Sequence, residues 1–509
     1  MAADPVPSPV ERVDLSAIGS QSEALELVPE EYAIQHVVLP LTVRDDLITV
    51  ACADPGDMVT VRDIQVLTRR PVEALAADPA SINEAIRQRY KVLANVDRHV
   101  QAFSERAPNP IEGQLSALET ISAASPVVQI VNLVLKQGLR DRASDIHIEP
   151  QEDRLRIRFR IDGLLVDALT LPKTMAPSLA SRIKVMANMD IVDRHRAQDG
   201  QLRVEQDGRN VDVRVATTET IWGEKVVLRL LDQGRTVLSL DELGLADHGY
   251  RSLAKLLRSP YGMIIVSGPT GSGKTTSLYA AIKELDPVAQ NIMTIEDPVE
   301  YTFPNINQIQ IRRMANLTFA NGLKAILRQD PDVILVGEIR DLETAEIAVQ
   351  SALTGHLVLS SLHATDAAGV IQRFIEMGVE GFLLSSSLIG VVAQRLVRRN
   401  CTYCQEPYQP SIEERQLWAV HRNELKPVFF RGRGCNHCAG TGYRGRVGVF
   451  EVLQLSDGIK RLISQKASGS DIRALAQEEG MVDMRTDGIA KVEHDMTTLS
   501  EVIRCVWMN

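Results

Sequence analysis

Short apolar runs alternate with helix-patterned segments between residues 240 and 398, which predicts an α/β fold built on a parallel sheet with helices on both faces. Two further observations fix this class. Gly268-Pro-Thr-Gly-Ser-Gly-Lys-Thr275 follows the apolar run Met263 to Val266 and opens a helix-like segment, giving the strand, glycine-rich loop and helix of a phosphate-binding site. Two Cys-x-x-Cys pairs, Cys401/Cys404 and Cys435/Cys438, then mark a separate metal-binding segment.

A chain of 509 residues divides into about three or four domains. Residues 1–24 begin with a Pro- and Ser-containing stretch and are expected to form a disordered tail. From 25 to 92 a small αβ domain is expected, with strands at Val37 to Leu39 and Leu47 to Ala51 and a helix from Ser81 to Tyr90. It carries no recognisable chemistry, so docking is its expected use. Residues 93–122, with Ala107-Pro-Asn-Pro110, are weakly patterned and read as a linker.

A second αβ domain is expected over 123–233. Val127 to Leu139 is helical in pattern, and Arg154-Leu-Arg-Ile-Arg-Phe-Arg-Ile161 alternates charged and apolar residues, the period-two signature of a strand with one polar face. Val211 to Ala216 and Val226 to Leu230 read as further strands. For most of the arginines on this face the residues alone suggest only a solvated sheet surface.

In the third domain, 240–398, strands are expected at 263–267, Asn291 to Glu296, Asp332 to Gly337 and His356 to Leu362, with helices at 275–285, 318–329, 343–353 and 379–392. This order places the glycine-rich loop at the carboxyl end of a strand, where α/β sheets bind ligands. The cysteine segment covers 399–443, and 444–509 is expected to be helical.

The net charge of −10 gives no overall basic surface of the kind that nucleic-acid binders carry. No run of about 18 apolar residues exists, and the N-terminus has neither a basic start nor an apolar segment, so a soluble cytoplasmic chain is expected.

The chemistry follows from residue types. Gly268, Pro269, Thr270, Gly271, Ser272, Gly273, Lys274, Thr275 and Thr276 form the cradle for a nucleoside triphosphate. Backbone N–H groups surround phosphate oxygens, Lys274 neutralises β/γ charge, and the Thr275 hydroxyl can ligate magnesium. Hydrolysis needs a carboxylate to orient water. The apolar strand that starts at Asp332 ends in Glu338, and Gly337 occupies the strand-end position that often holds a metal-ligating Asp. Glu296, Asp297 and Glu300 end the preceding strand. His363 is open between a hydrogen-bonded core histidine and a γ-phosphate contact. Cys401, Cys404, Cys435 and Cys438 suit a closed tetrahedral zinc site that stabilises its own segment, with His437 a bystander.

In order along the chain stand ASDIHIEP (143–150), FRIDG (159–163), GPTGSGKTT, TIEDPVEY (294–301), ILRQDPDVILVGEIRD (326–341), TGHLVLSSLHA (354–364), QRLVR (394–398) and the cysteine pairs followed by TGYRGR (441–446). From about residue 123 to 509 this set resembles the ATPases of type II secretion and type IV pilus assembly. The resemblance implies a RecA-like, homo-hexameric ATP-driven motor at the inner face of the cytoplasmic membrane. Its partners would be an inner-membrane platform protein and a cytoplasmic adaptor. It also implies Glu338 as catalytic carboxylate, Glu296 as the key acid of its motif, His363 as phosphate sensor, and Arg214 and Arg229 as charge-neutralising arginines. Fibre extension rather than retraction is implied, because the family's retraction motors generally lack the cysteine insertion and the extra N-terminal αβ domain. Two positions depart from the family pattern: Gln201 ends a motif that usually ends in Arg, and Leu362-His363-Ala364-Thr365 replaces Leu-His-Thr-Asn.

Two other readings share the phosphate loop. A nucleic-acid translocase conflicts with the acidic balance, and a nucleotide-binding scaffold without turnover conflicts with Glu338 beside the loop.

Overall fold

A computed structural model describes residues 13, 15, 20–44, 46–90, 96–105, 125–206, 209–231, 237–422, 426 and 428–507. The chain forms two compact units, 1–232 with 433–442 and 233–432 with 443–509. No helix among the described residues is long and apolar enough to cross a membrane.

The first unit opens with helices α1 (Ser22–Leu27) and α2 (Glu30–His36), then strands β1 (Val38–Arg44) and β2 (Leu47–Cys52), helix α3 (Met58–Thr68), β3 (Val72–Ala76) and helix α4 (Pro79–Arg89). The first two strands pair antiparallel, whereas the second and third pair parallel, with α3 as the crossover. Asp57 and Asp78 cap the two longer helices by accepting backbone N–H bonds in the first turn. Alternate residues then face opposite ways: Leu39, Leu41 and Ala51 pack with Ile82 and Ile86, and Val38, Ile48 and Val50 pack with Ile64.

Helix α5 (Val96–Glu105) falls within the stretch expected to be a linker. A helix forms here in place of a linker because Val96, Val100 and Phe103 recur at helical spacing and pack on the core of the next domain. Residues 93–95 and 106–122 of that stretch, and most of the tail expected over 1–24, lie outside the described residues; α1 begins within the tail.

Next come α6 (Pro126–Arg140), β4 (Asp145–Pro150), β5 (Arg154–Ile161), β6 (Leu164–Pro172), α7 (Ala176–Met186), β7 (Gln198–Gln206), β8 (Arg209–Thr220) and β9 (Gly223–Leu231). The six strands form one sheet, ordered β6-β5-β4-β9-β8-β7, and every pair is antiparallel. Leu155, Ile157 and Phe159 join Val213, Val226 and Leu228 beneath the apolar stripes of α6 and α7, leaving the arginines of β5 on the opposite face.

The second unit contains α8 (Asp247–Leu257), β10 (Gly262–Ser267), α9 (Lys274–Lys283), β11 (Ile292–Glu296), β12 (Asn307–Gln310), α10 (Phe319–Ile326), β13 (Val333–Val336), α11 (Leu342–Leu353), β14 (Leu357–Leu362), α12 (Ala367–Glu376), α13 (Gly381–Ser387) and β15 (Leu388–Asn400). A hairpin of β16 (Gln405–Tyr408) and β17 (Phe429–Gly432) flanks α14 (Ile412–His421), and β18 (Tyr443–Gln454) precedes α15 (Asp457–Ser464), α16 (Gly469–Glu478), α17 (Met484–Glu493) and α18 (Leu499–Val502).

Seven strands make the main sheet, ordered β12-β11-β13-β14-β10-β15-β18 and parallel except for the last pair. Along β10, Met263 and Ile265 enter one core and Ile264 and Val266 the other, so both faces are covered. The helix expected over 379–392 spans only Gly381–Ser387. It stops at Ser387, because Leu388 to Val397 is a buried run suited to a strand between two neighbours. The helical region expected from 444 likewise begins with an edge strand, 443–454, before its four helices.

Candidate nucleotide site

Strand β10 ends at Ser267 and the chain turns into α9 through the glycine-rich loop. Gly268 has φ +151, and a Cβ there would come within 2.5 Å of the Gln394 carbonyl oxygen and of Ser272 Oγ. Only glycine lets the loop pass this close. Gly273, at φ +88, is the N-cap of α9. Pro269, Thr270, Gly271, Thr275 and Thr276 are exposed, whereas Ser272 is buried. Lys274 Nζ donates to the carbonyls of Gly268 (2.9 Å) and Pro269 (3.2 Å).

A residue to which the sequence assigns no role holds this loop from below. Gln394 on β15, 1% exposed, donates to the Ser272 carbonyl (2.6 Å) and accepts from Ser277 Oγ on α9 (2.7 Å). Its sequence signal was its place at the head of QRLVR (394–398), to which no role attached.

Three predicted residues meet at the carboxyl ends of adjacent strands. Lys274 Nζ lies 3.5 Å from His363 Nδ1, just past β14, and His363 Nε2 lies 3.8 Å from Glu338, just past β13. Arg340, not anticipated, donates to Glu338 at 2.5 Å. Burial lowers the proton affinity of His363, and the Lys274 and Arg340 cations lower it further against the pull of Glu338. Lys274 is also shifted down, first by burial and then by the nearby Arg395 charge, with Glu338 opposing. Gly337 is explained by space: a Cβ there would stand 3.3 Å from the Ile295 carbonyl oxygen of the neighbouring strand.

Glu296 ends β11 in different surroundings. It is 3% exposed and accepts from Thr294 Oγ1 (2.6 Å), Gln308 Nε2 (3.2 Å) and the Tyr279 hydroxyl. Tyr279, on α9, also accepts the Glu300 N–H. This network ties the helix behind the phosphate loop to the end of β11.

Arg214 and Arg229 belong to the first unit and the phosphate loop to the second. They are direct cross-strand partners on β8 and β9. Register continues the row in both directions: Gln201 stands opposite Arg214, Asp145 opposite Arg229, and Arg160 opposite Asp145. Asp145 accepts from Arg229 Nε at 2.9 Å and lies 3.7 Å from Arg160. The position where the family usually carries Arg therefore adjoins an existing arginine row.

The sulfurs of Cys401, Cys404, Cys435 and Cys438 all lie within 4.8 Å of one another. Tetrahedral zinc with bonds of about 2.3 Å requires sulfurs about 3.8 Å apart, the separation found between Cys435 and Cys438 (3.8 Å). Backbone N–H groups of Cys435 and Gly442 point at Cys438 Sγ (3.1 and 3.2 Å), as a thiolate ligand needs. The donor set fits zinc, and His437 is not part of it.

A parallel sheet, a glycine-rich loop capping a helix, and Lys, His and Glu at neighbouring strand ends define a P-loop nucleoside triphosphatase. Residues 121–504 match the type II/IV secretion system protein family, and residues 8–95 match the MshEN domain. The chain belongs to the type II/IV secretion system protein family. It is 39% identical to the type IV pilus assembly ATPase PilB of Myxococcus xanthus, over 97% of this chain and 88% of that protein. It is 47% identical to the type II secretion system protein HxcR of Pseudomonas aeruginosa, over 79% of this chain and 81% of the other. Among solved structures, the ATPase DotB of Legionella pneumophila shares the fold, with a TM-score of 0.55 and 20% identity over 73% of this chain and 94% of DotB.

Proposed function

We propose that this chain hydrolyses ATP at the Lys274, His363 and Glu338 cluster and uses the cycle to drive assembly of a pilus or pseudopilus, in the direction of extension. The observation that carries the reading is the meeting of these three side chains at the carboxyl ends of three neighbouring strands. Lys274, held by the Gly268 and Pro269 carbonyls, exchanges them for phosphate oxygens when nucleotide binds. Glu338, steadied by Arg340, orients the attacking water, and neutral His363 between the two senses the γ-phosphate. Glu296 serves through its network, positioning α9 and the end of β11. The exposed Thr275 hydroxyl would hold magnesium, which would supply positive charge against the phosphates.

Arg214 and Arg229 supply positive charge for the transition state in an assembled homo-hexamer, and zinc closes the four-cysteine segment. The motor works at the inner face of the cytoplasmic membrane against an inner-membrane platform protein and a cytoplasmic adaptor.

The roles of lysine and glutamate separate in mutants. Lys274→Ala weakens ATP binding and abolishes turnover, whereas Glu338→Gln leaves ATP bound and unhydrolysed. Equal loss of ATP affinity in both, measured with a fluorescent ATP analogue, would refute this division.

A further inference from the structure

The segment after His363 is held residue by residue. Ser267 Oγ donates to the Ala364 carbonyl (3.1 Å), and Arg395 Nη2 to the Thr365 carbonyl (3.2 Å). Arg473 of α16 donates to the Asp366 carboxylate (2.6 Å), and the Ala367 N–H is taken by Glu451 of β18 (2.9 Å). Of these, Arg395 is a buried cation. It is 7% exposed, and its Nη1 has no hydrogen-bond partner among the described residues. A buried cation with an unmade bond is destabilising, and such groups persist where they serve a purpose.

Alternation along β15 explains where it acts. Gln394 points to one face and grips the phosphate loop, so Arg395 points to the other, toward α12 and the loop that carries His363. Adjacent residues of one strand thus hold the two loops whose side chains, Lys274 and His363, lie 3.5 Å apart. Burial opposes the Arg395 cation, the Asp366 carboxylate favours it, and the Arg395 charge reaches Lys274.

We infer that Arg395 is a positioning residue for ATP hydrolysis: from inside the core it fixes the backbone at Thr365 and so sets His363 against Lys274 and Glu338. The inference rests on the proposed role of His363, and it concerns geometry at the γ-phosphate, not binding of the nucleotide. A displaced sensor costs turnover by about tenfold to a hundredfold and leaves affinity nearly intact.

The test is a double-mutant cycle on the full-length chain with three readouts: ATP turnover, affinity for a fluorescent ATP analogue, and hydrogen exchange over residues 363–367. Arg395→Gln should lower turnover with affinity changed less than about twofold, should raise exchange over 363–367, and should cost nothing further in a His363→Ala background. Arg395→Lys, which keeps a charged donor in the same place, should recover part of the turnover, and it replaces the glutamine variant if that fails to fold. Independent, multiplicative losses from Arg395→Gln and His363→Ala would overturn the inference, as would unchanged exchange over 363–367. Wild-type turnover in His363→Ala alone would instead remove the proposed role of the histidine, and hydrogen exchange would still decide whether Arg395 fixes the loop.

Discussion

Glu296 and Glu338 close neighbouring strands of one sheet and meet opposite surroundings. The first is buried under Tyr279, Thr294 and Gln308; the second is half-buried and faces Arg340 and His363. A carboxylate with three donors is committed to structure, whereas one beside an exposed cation and a histidine can hold water. His363 reports on this environment. Burial comes first, then Lys274 and Arg340, and together they hold it below its ordinary 6.5, while Glu338 pulls the other way. At neutral pH the ring is therefore uncharged and can accept a hydrogen bond. Histidine-labelled NMR should place its midpoint below 6.5, and Glu338→Gln should move it lower still, because the opposing carboxylate is gone. A midpoint that rises in Glu338→Gln would contradict this electrostatic account.

At the level of elements, β15 organises the second unit. Its two central residues hold the phosphate and sensor loops, and its end is tied to the last short helix, α18, by Glu501, which accepts from Arg398 (2.8 Å) and Arg504 (2.5 Å). Burial pushes Glu501 up, but the hydrogen bonds and charges of Arg504 and Arg398 outweigh it and bring the carboxyl down from 4.5 to about 2. A depressed acid stabilises the fold above its unfolded value, and that stabilisation is lost as pH falls through the folded one. The shift corresponds to about 3 kcal/mol. The gap in urea midpoint between wild type and Glu501→Gln should be full above pH 4.5 and shrink as pH falls toward 2. A gap that does not vary with pH would show that the pair contributes packing only.

At the level of the whole molecule, two features separate metal from motor. A closed four-sulfur site stabilises its own segment, so Cys401→Ser should release one zinc per chain, measured by elemental analysis, and locally destabilise residues 399–443 while the phosphate loop still binds ATP. Arginines that act only in an assembled ring behave differently. Arg214→Ala should cost far more in turnover than in ATP affinity, since such an arginine is worth a factor of about 10³ to 10⁵ in rate. Specific activity of the wild type should rise as protein concentration rises through the assembly range. Constant specific activity in a monomeric sample, with Arg214→Ala equal to wild type, would refute assembly-dependent catalysis.

The sequence by itself determined whatever is encoded at short range. The glycine spacing before Lys274, the strand ends at Glu296 and Glu338, the alternation in 154–161 and the two cysteine pairs each declare themselves within about ten residues, because backbone turns, strand faces and metal geometry are local. Tertiary structure decided what depends on register and on residues far apart. The run 388–400 became a strand because it lies between β10 and β18, a pairing that no local window contains. Tyr279 found Glu296, Gln394 found Ser272 and Arg395 found Thr365 only because a parallel sheet brings distant strand ends to one edge. Gln201, Arg214, Arg229 and Asp145 became one row because a period-two register across four strands placed them there, an arrangement set by pairing and invisible to composition.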